Sequence, residues 1–159
     1  MTAADTARAS EGTVVTGVIG DDVHVIGLRL MEYALRQSGF KVVSLGPLAS
    51  RKEFIDAAIE TAADAIFISS LNGHAEIHMP GFRGACIEAG IGDILIYVGG
   101  HLTIGRPEWS GVEQRFKGEF GVDRAYPPDT RNPEIPINDL KADLRARREK
   151  RSAPVKGGA

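Results

Sequence analysis

Apolar positions fall into five short runs, each closed by glycine, proline or small polar residues. Between them, apolar positions recur at three- and four-residue intervals. The first run, Thr13 to Gly20, is rich in β-branched residues and reads as a buried strand. A helix of period 3.6 follows from about His24 to Ser38, with Gly27, Met31, Ala34 and Leu35 on its buried face and Gly39 ending it. Lys41–Leu45 predicts a second strand, closed by Gly46-Pro47. Ser50-Arg51-Lys52-Glu53 spells a capping box, and Phe54, Ala57, Ala58 and Thr61 then share one helical face.

Further along, Ala65–Ile68 predicts strand three, running out into Ser69-Ser70-Leu71-Asn72-Gly73. A helix over Gly81–Ala89 turns Phe82, Ala85, Cys86 and Ala89 inward. Ile94–Val98 is strand four, ending in Gly99-Gly100-His101, and a helix over Glu108–Lys117 presents Trp109, Val112 and Phe116. Asp123–Tyr126 makes strand five, stopped by Pro127-Pro128, and a last helix begins near Asn138 with Leu140 and Leu144 on its buried side.

Strands apolar throughout and alternating with helices imply an α/β fold, a parallel sheet covered on both faces. Right-handed crossovers at this length favour the flavodoxin-like (Rossmann-like) strand order 2-1-3-4-5. The domain spans residues 12–145, between a disordered lead over 1–11 and a basic, flexible tail over 146–159.

Composition narrows the function. At 159 residues the chain can bury a sizeable single core. Nineteen basic against 21 acidic side chains leave a net charge of −2, which gives no electrostatic basis for binding nucleic acid or a membrane surface. The one cysteine, Cys86, excludes an internal disulfide framework; with no signal peptide or spanning segment, a cytoplasmic protein is expected.

Ligands in such sheets bind at the carboxyl ends of the strands, and that edge collects unusual residues. Asp22 and His24 follow strand one, where a carboxylate two residues before an imidazole can fix its tautomer and raise its basicity as a metal ligand. Ser69 and Leu71 follow strand three, Gly99 and Gly100 strand four, and Tyr126-Pro127-Pro128 strand five. Paired glycines admit a close approach of backbone to a ligand. His74, His78 and His101 lie in loops at the same edge. His74 and His78 have a spacing suited to zinc, but no third ligand is fixed by spacing, and a surface or partner-facing role fits them better.

In that order and on those strand ends, Asp22-x-His24-x-x-Gly27, Ser69-x-Leu71 and Gly99-Gly100 resemble the cobalamin-binding domain. With Gly17–His24, Ala57–Thr61, Val98–Gly100, Val112–Phe116 and Asp123–Pro128, the chain from Thr13 to Thr130 is similar to the small (sigma) subunits of the glutamate mutase (methylaspartate mutase) family. His101 stands where that family commonly has Asn, and Asp129 where it commonly has Gly.

The resemblance implies adenosylcobalamin as cofactor, with His24 as lower axial ligand to cobalt and Asp22 bonded to the other ring nitrogen. It implies a benzimidazole tail buried near Ser69 and Leu71, and a nucleotide lying along Gly99 and Gly100. Tyr126, Pro127, Pro128 and Thr130 would wall the pocket, Gly27 would clear space for the tail, and Val23 and Val25 would flank the ligand. The implied chemistry is homolysis of the cobalt–carbon bond to a 5′-deoxyadenosyl radical, which abstracts hydrogen from L-glutamate on the way to threo-3-methylaspartate. No substrate domain is visible, so a large glutamate-binding subunit is the implied partner, in a heterotetramer.

Two rivals share the fold. A corrinoid carrier for methyl transfer usually has a helical cap before strand one, for which the start of strand one at Thr13 leaves no room. A signal receiver needs a phosphoacceptor Asp after strand three and a Lys after strand five, where this chain has Ser69 and Tyr126-Pro127. A mutase for a related acid such as 2-methyleneglutarate stays open, because the substrate pocket would lie on the partner.

Overall fold

The apolar runs assemble as one five-stranded parallel sheet in the order β2-β1-β3-β4-β5. The structure, a computed structural model, describes residues 10–105 and 107–153. Its strands are β1 (Gly12–Val18), β2 (Phe40–Ser44), β3 (Ala65–Ser70), β4 (Leu95–Gly100) and β5 (Arg124–Tyr126). The helices are α1 (Ile26–Gln37), α2 (Arg51–Glu60), α3 (Ala75–His78), α4 (Phe82–Glu88), α5 (Trp109–Gly118) and α6 (Glu134–Ser152). The expected topology holds.

Alternation along the strands sends side chains to two cores. One joins β1, β3 and β4 to α2, α4 and α5 through Val15, Phe54, Ile66, Phe82, Cys86, Ile96 and Phe116. The other joins the sheet to α1 and α6 through Val14, Leu35, Phe67, Tyr97, Ile137, Leu140 and Leu144. On this second face the register aligns Val18, Ser69, Gly99 and Tyr126 in one row at the carboxyl edge. In the row beneath it, Phe67 stacks on Tyr97 at 4.9 Å. The small Ser69 and Gly99 next to Phe67 and Tyr97 on the same strand face leave a hollow at the edge.

The helix ends explain themselves. Ser50 and Glu53 close the capping box of α2 reciprocally, and Gly39 ends α1 at φ +94°. α1 begins at Ile26 rather than His24, because bonds from the Asp22 side chain hold the preceding residues out of helical conformation. Its buried face is therefore Leu28, Glu32 and Leu35; Gly27 is exposed, and Met31 and Ala34 are half-buried. Glu32 is tolerated there because Thr16 and Ser44 donate hydroxyls to it at 2.6 and 2.5 Å.

Four further expectations change. Ala89 is exposed, so α4 packs through Phe82 and Cys86. The short helix α3 lies in a stretch read as loop. α6 starts at Glu134, with Pro136 in its first turn, where no amide partner is required. It also runs to Ser152, into the segment expected as tail, where Arg148 donates to the Glu11 carbonyl and Arg151 to Asp93 at 2.8 and 2.7 Å. The far tail (154–159) and most of the lead (1–9) lie outside the described residues.

Candidate functional site

The hollow at the carboxyl edge is a cavity of about 220 Å³ between α1, α6 and the sheet. Phe67, Tyr97 and Tyr126 form its floor, Leu28 and Met31 one wall, and Pro127, Pro128 and Pro136 the other. The Tyr97 and Tyr126 hydroxyls point away from it, donating to Asp143 and Asp139 of α6. Burial pushes both phenols up, reinforced by those carboxylates, so they remain donors. Ser69 and Thr130 are left as the polar side chains at a largely apolar lining.

Both glycines of β4 shape this space. Gly99 shares the face of Tyr97 and Tyr126, where its missing side chain leaves room. Gly100 has φ +108°, and a Cβ there would collide with the Ser70 carbonyl oxygen.

Asp22 is buried at 1 % exposure beside the mouth of the cavity. Its Oδ1 accepts the His24 backbone N–H at 3.0 Å and His24 Nδ1 at 2.6 Å. Its Oδ2 accepts the Leu71 and Asn72 N–H groups at 2.5 and 3.1 Å. Burial alone would raise this carboxyl, but the bonds from Leu71, His24 and Asn72 outweigh it and hold it below the ordinary carboxylate range. An ionised Asp22 only accepts, so the imidazole proton facing it is on Nδ1. In the neutral ring Nε2 then keeps its lone pair, on a side chain 58 % exposed and, among the described residues, without a hydrogen-bond partner at that atom.

The lowered Asp22 pKa carries a pH sign. A depressed carboxyl stabilises the fold fully above its unfolded value, and that contribution drains away as pH falls through the lowered folded value. The Asp22 carboxyl carbon, followed by carbon-13 NMR, is therefore expected to titrate below 3.8. A midpoint at or above 3.8 would contradict the four-donor geometry.

Gly27, Ser69, Leu71, Gly99, Gly100, Tyr126, Pro127, Pro128 and Thr130 all line the cavity; Asp22, Val23, His24 and Val25 do not, and their loop connects to it through the Asp22–Leu71 bond and through Gly27. Sequence reasoning missed Leu28, Met31, Phe67, Ile68, Tyr97, Val98 and Pro136. Phe67 and Tyr97 could have been found two residues before Ser69 and Gly99 on the same strand faces.

His74 and His78 turn to Asp21, at 3.1 and 3.4 Å, while the exposed His101 accepts the Gly73 N–H through its carbonyl. Among the described residues, no group of three or more His, Cys, Asp or Glu is arranged to hold a metal ion. The receiver reading also fails locally, since Asp22 is saturated by four N–H donors.

A family profile described as the B12 binding domain matches residues 12–120. A glutamate mutase sigma subunit of Carboxydothermus hydrogenoformans is 51 % identical over 134 residues, covering 84 % of this chain and 96 % of that protein. This chain belongs to the glutamate mutase sigma subunit family. A second sigma subunit, from Clostridium tetani, is 49 % identical over 132 residues, covering 83 % of this chain and 95 % of its own. Among solved structures, a cobalamin-binding protein from Desulfitobacterium hafniense superposes with a TM-score of 0.63 at 23 % identity. That match covers 84 % of this chain and 57 % of the other, and shows that the sigma-type chain shares its fold. None of the described helices of this sigma family member is long and apolar enough to cross a membrane.

Proposed function

We propose that this chain binds adenosylcobalamin at its carboxyl edge, with His24 Nε2 as the lower axial ligand of cobalt and the nucleotide tail in the cavity. A larger subunit would hold L-glutamate for interconversion with threo-3-methylaspartate. One observation carries the reading: His24 leaves one ring nitrogen unpartnered on an exposed side chain, while the buried Asp22, bonded to the cavity-lining Leu71, holds the other. The surroundings fit the group, because the apolar cavity suits a flat benzimidazole and the glycine pair leaves space along its wall.

Adenosylcobalamin held there would supply a weak cobalt–carbon bond as a source of radicals. The chain's own residues bind and orient. Asp22 keeps the Nδ1 proton in place and raises the basicity of Nε2. Ser69 offers a hydroxyl to the benzimidazole nitrogen, with Leu71 packed beside it. Gly27, Gly99 and Gly100 leave room for the tail. Tyr126, Pro127, Pro128 and Thr130 enclose it, and Val23 and Val25 flank the ligand. With Cys86 buried and unpaired, a reducing cytoplasm suits the protein.

Paramagnetic resonance of the bound cob(II)alamin tests the axial assignment. Labelling histidine with nitrogen-15 is expected to change the hyperfine splitting, and an unchanged pattern would exclude a histidine ligand. The partner follows from what the cavity lacks. Among the described residues no lysine, arginine or histidine lines it, so an amino dicarboxylate finds no counter-ion there. Radical chemistry also needs a closed, dry space that one edge of a sheet cannot enclose. The purified chain with adenosylcobalamin is therefore expected to give no methylaspartate until the large subunit is added. Turnover by the chain alone would refute the two-component reading.

A further inference from the structure

The loop from β1 to α1 has no regular structure beyond a single bridge between Ile19 and Ala49, so its shape depends on its bonds. Val25, which precedes α1, makes no side-chain cap, and Val23 and His24 are exposed. The backbone contributes Gly20 N–H to Ala49 O at 2.9 Å and Leu48 N–H to Asp22 O at 3.1 Å. The side-chain anchors are two adjacent carboxylates, Asp21 and Asp22.

Asp21 accepts from Asn72 Nδ2 at 2.9 Å, His74 Nδ1 at 3.1 Å and His78 Nε2 at 3.4 Å. The bond from Asn72, then that from His74, brings its carboxyl down to about 2, so both rings turn N–H groups toward an acceptor. The fold makes room for this cluster: a Cβ on Gly20 would collide with the His78 ring. The histidines stand on a fixed base. Ala75 and Met79 are fully buried, and Glu76 pairs with Arg115 of α5 at 3.0 Å. Asn72 joins the anchors, because its backbone N–H reaches Asp22 while its side chain reaches Asp21 and accepts the His74 N–H.

The two backbone bonds and the Asp22 carboxylate set the path of the loop, but Asp22 is the only side-chain anchor on the stretch that carries His24 apart from its neighbour Asp21. That second attachment restricts how the stretch can turn. We infer that Asp21, held by Asn72, His74 and His78, is a positioning residue for His24, keeping its free ring nitrogen in one orientation. The inference rests on His24 being the axial ligand.

The test uses the full chain as Asp21→Ala and as the double variant His74→Ala/His78→Ala, each loaded with cob(II)alamin and labelled with nitrogen-15 histidine. Both variants are expected to bind cobalamin about tenfold more weakly, as for other residues that orient a metal ligand. Both should also show a mixture of histidine-coordinated and histidine-free signals. The unliganded Asp21→Ala variant should melt close to the wild type, since the Asp21 side chain is 60 % exposed. Wild-type affinity with a single histidine-coordinated signal in both variants would overturn the inference. So would an affinity loss that merely tracks a fall in melting temperature. A wild type that itself shows no labelled nitrogen on cobalt would instead remove the His24 assignment, and the inference with it.

Discussion

His24→Ala is expected to abolish nearly all turnover of the reconstituted two-subunit enzyme while leaving the melting temperature almost unchanged. The His24 side chain is 58 % exposed, and truncations at such positions typically stay within about 0.5 kcal/mol of wild-type stability. Water can replace the lost donor to Asp22 Oδ1 at the rim. Catalysis has no such substitute, because among the described residues no histidine lines the cavity to take its place.

The neighbouring change behaves differently. Asp22→Asn keeps the ligand, and a change confined to orientation and basicity would cost about 10–100-fold in affinity or activity. The structure adds a second cost. Four N–H groups converge on the two Asp22 oxygens, and an amide must turn its own N–H₂ toward some of them. Leaving buried donors unmatched costs about 1–3 kcal/mol, so this variant is expected to melt lower as well as work more slowly. Calorimetry of both unliganded variants beside a mutase assay separates the roles. A His24→Ala protein that melts lower than Asp22→Asn would reverse them.

That double duty marks where sequence reading stops. The strands and their order were legible, because buried parallel strands leave unbroken apolar runs such as Ala65–Ile68, and crossover handedness leaves few topologies. The cavity residues at the strand ends were legible for the same reason. The bonds from Leu71 and Asn72 to Asp22 were not, since they join residues 49 and 50 positions apart through backbone N–H groups that carry no side-chain signature. Hence His24 was read as the start of a helix when the Asp22 bonds hold it in the loop before α1. Pro136 hid the start of α6 likewise, because a proline suits a first turn as well as it marks a break. The pairing of Asp21 with His74 and His78 depends on α3, a single turn too short to leave a periodic pattern.

The paired glycines of β4 are expected to separate folding from cofactor binding. A Cβ on Gly99 would meet the Tyr126 Cβ at 3.6 Å, an ordinary contact, and its side chain would lie on the face of Tyr97 and Tyr126. Gly99→Leu should therefore fold, filling the apolar cavity of about 220 Å³ with its own side chain. Burying a leucine contributes about 1.5–3 kcal/mol, so its stability should equal or exceed the wild type while cobalamin binding falls below detection. Gly100→Ala meets the opposite constraint. Its φ of +108° disfavours any side chain, and the obstacle is the Ser70 carbonyl in the paired strand β3, which cannot move without opening the sheet. A loss on the order of 3 kcal/mol or more is expected, seen as a lower melting temperature before any cofactor is added. Titrating cobalamin into each variant by its visible spectrum, after measuring its melting curve, decides the matter. If Gly99→Leu bound cobalamin with wild-type affinity, the tail would not enter this cavity, and the site would have to be sought elsewhere on the carboxyl edge.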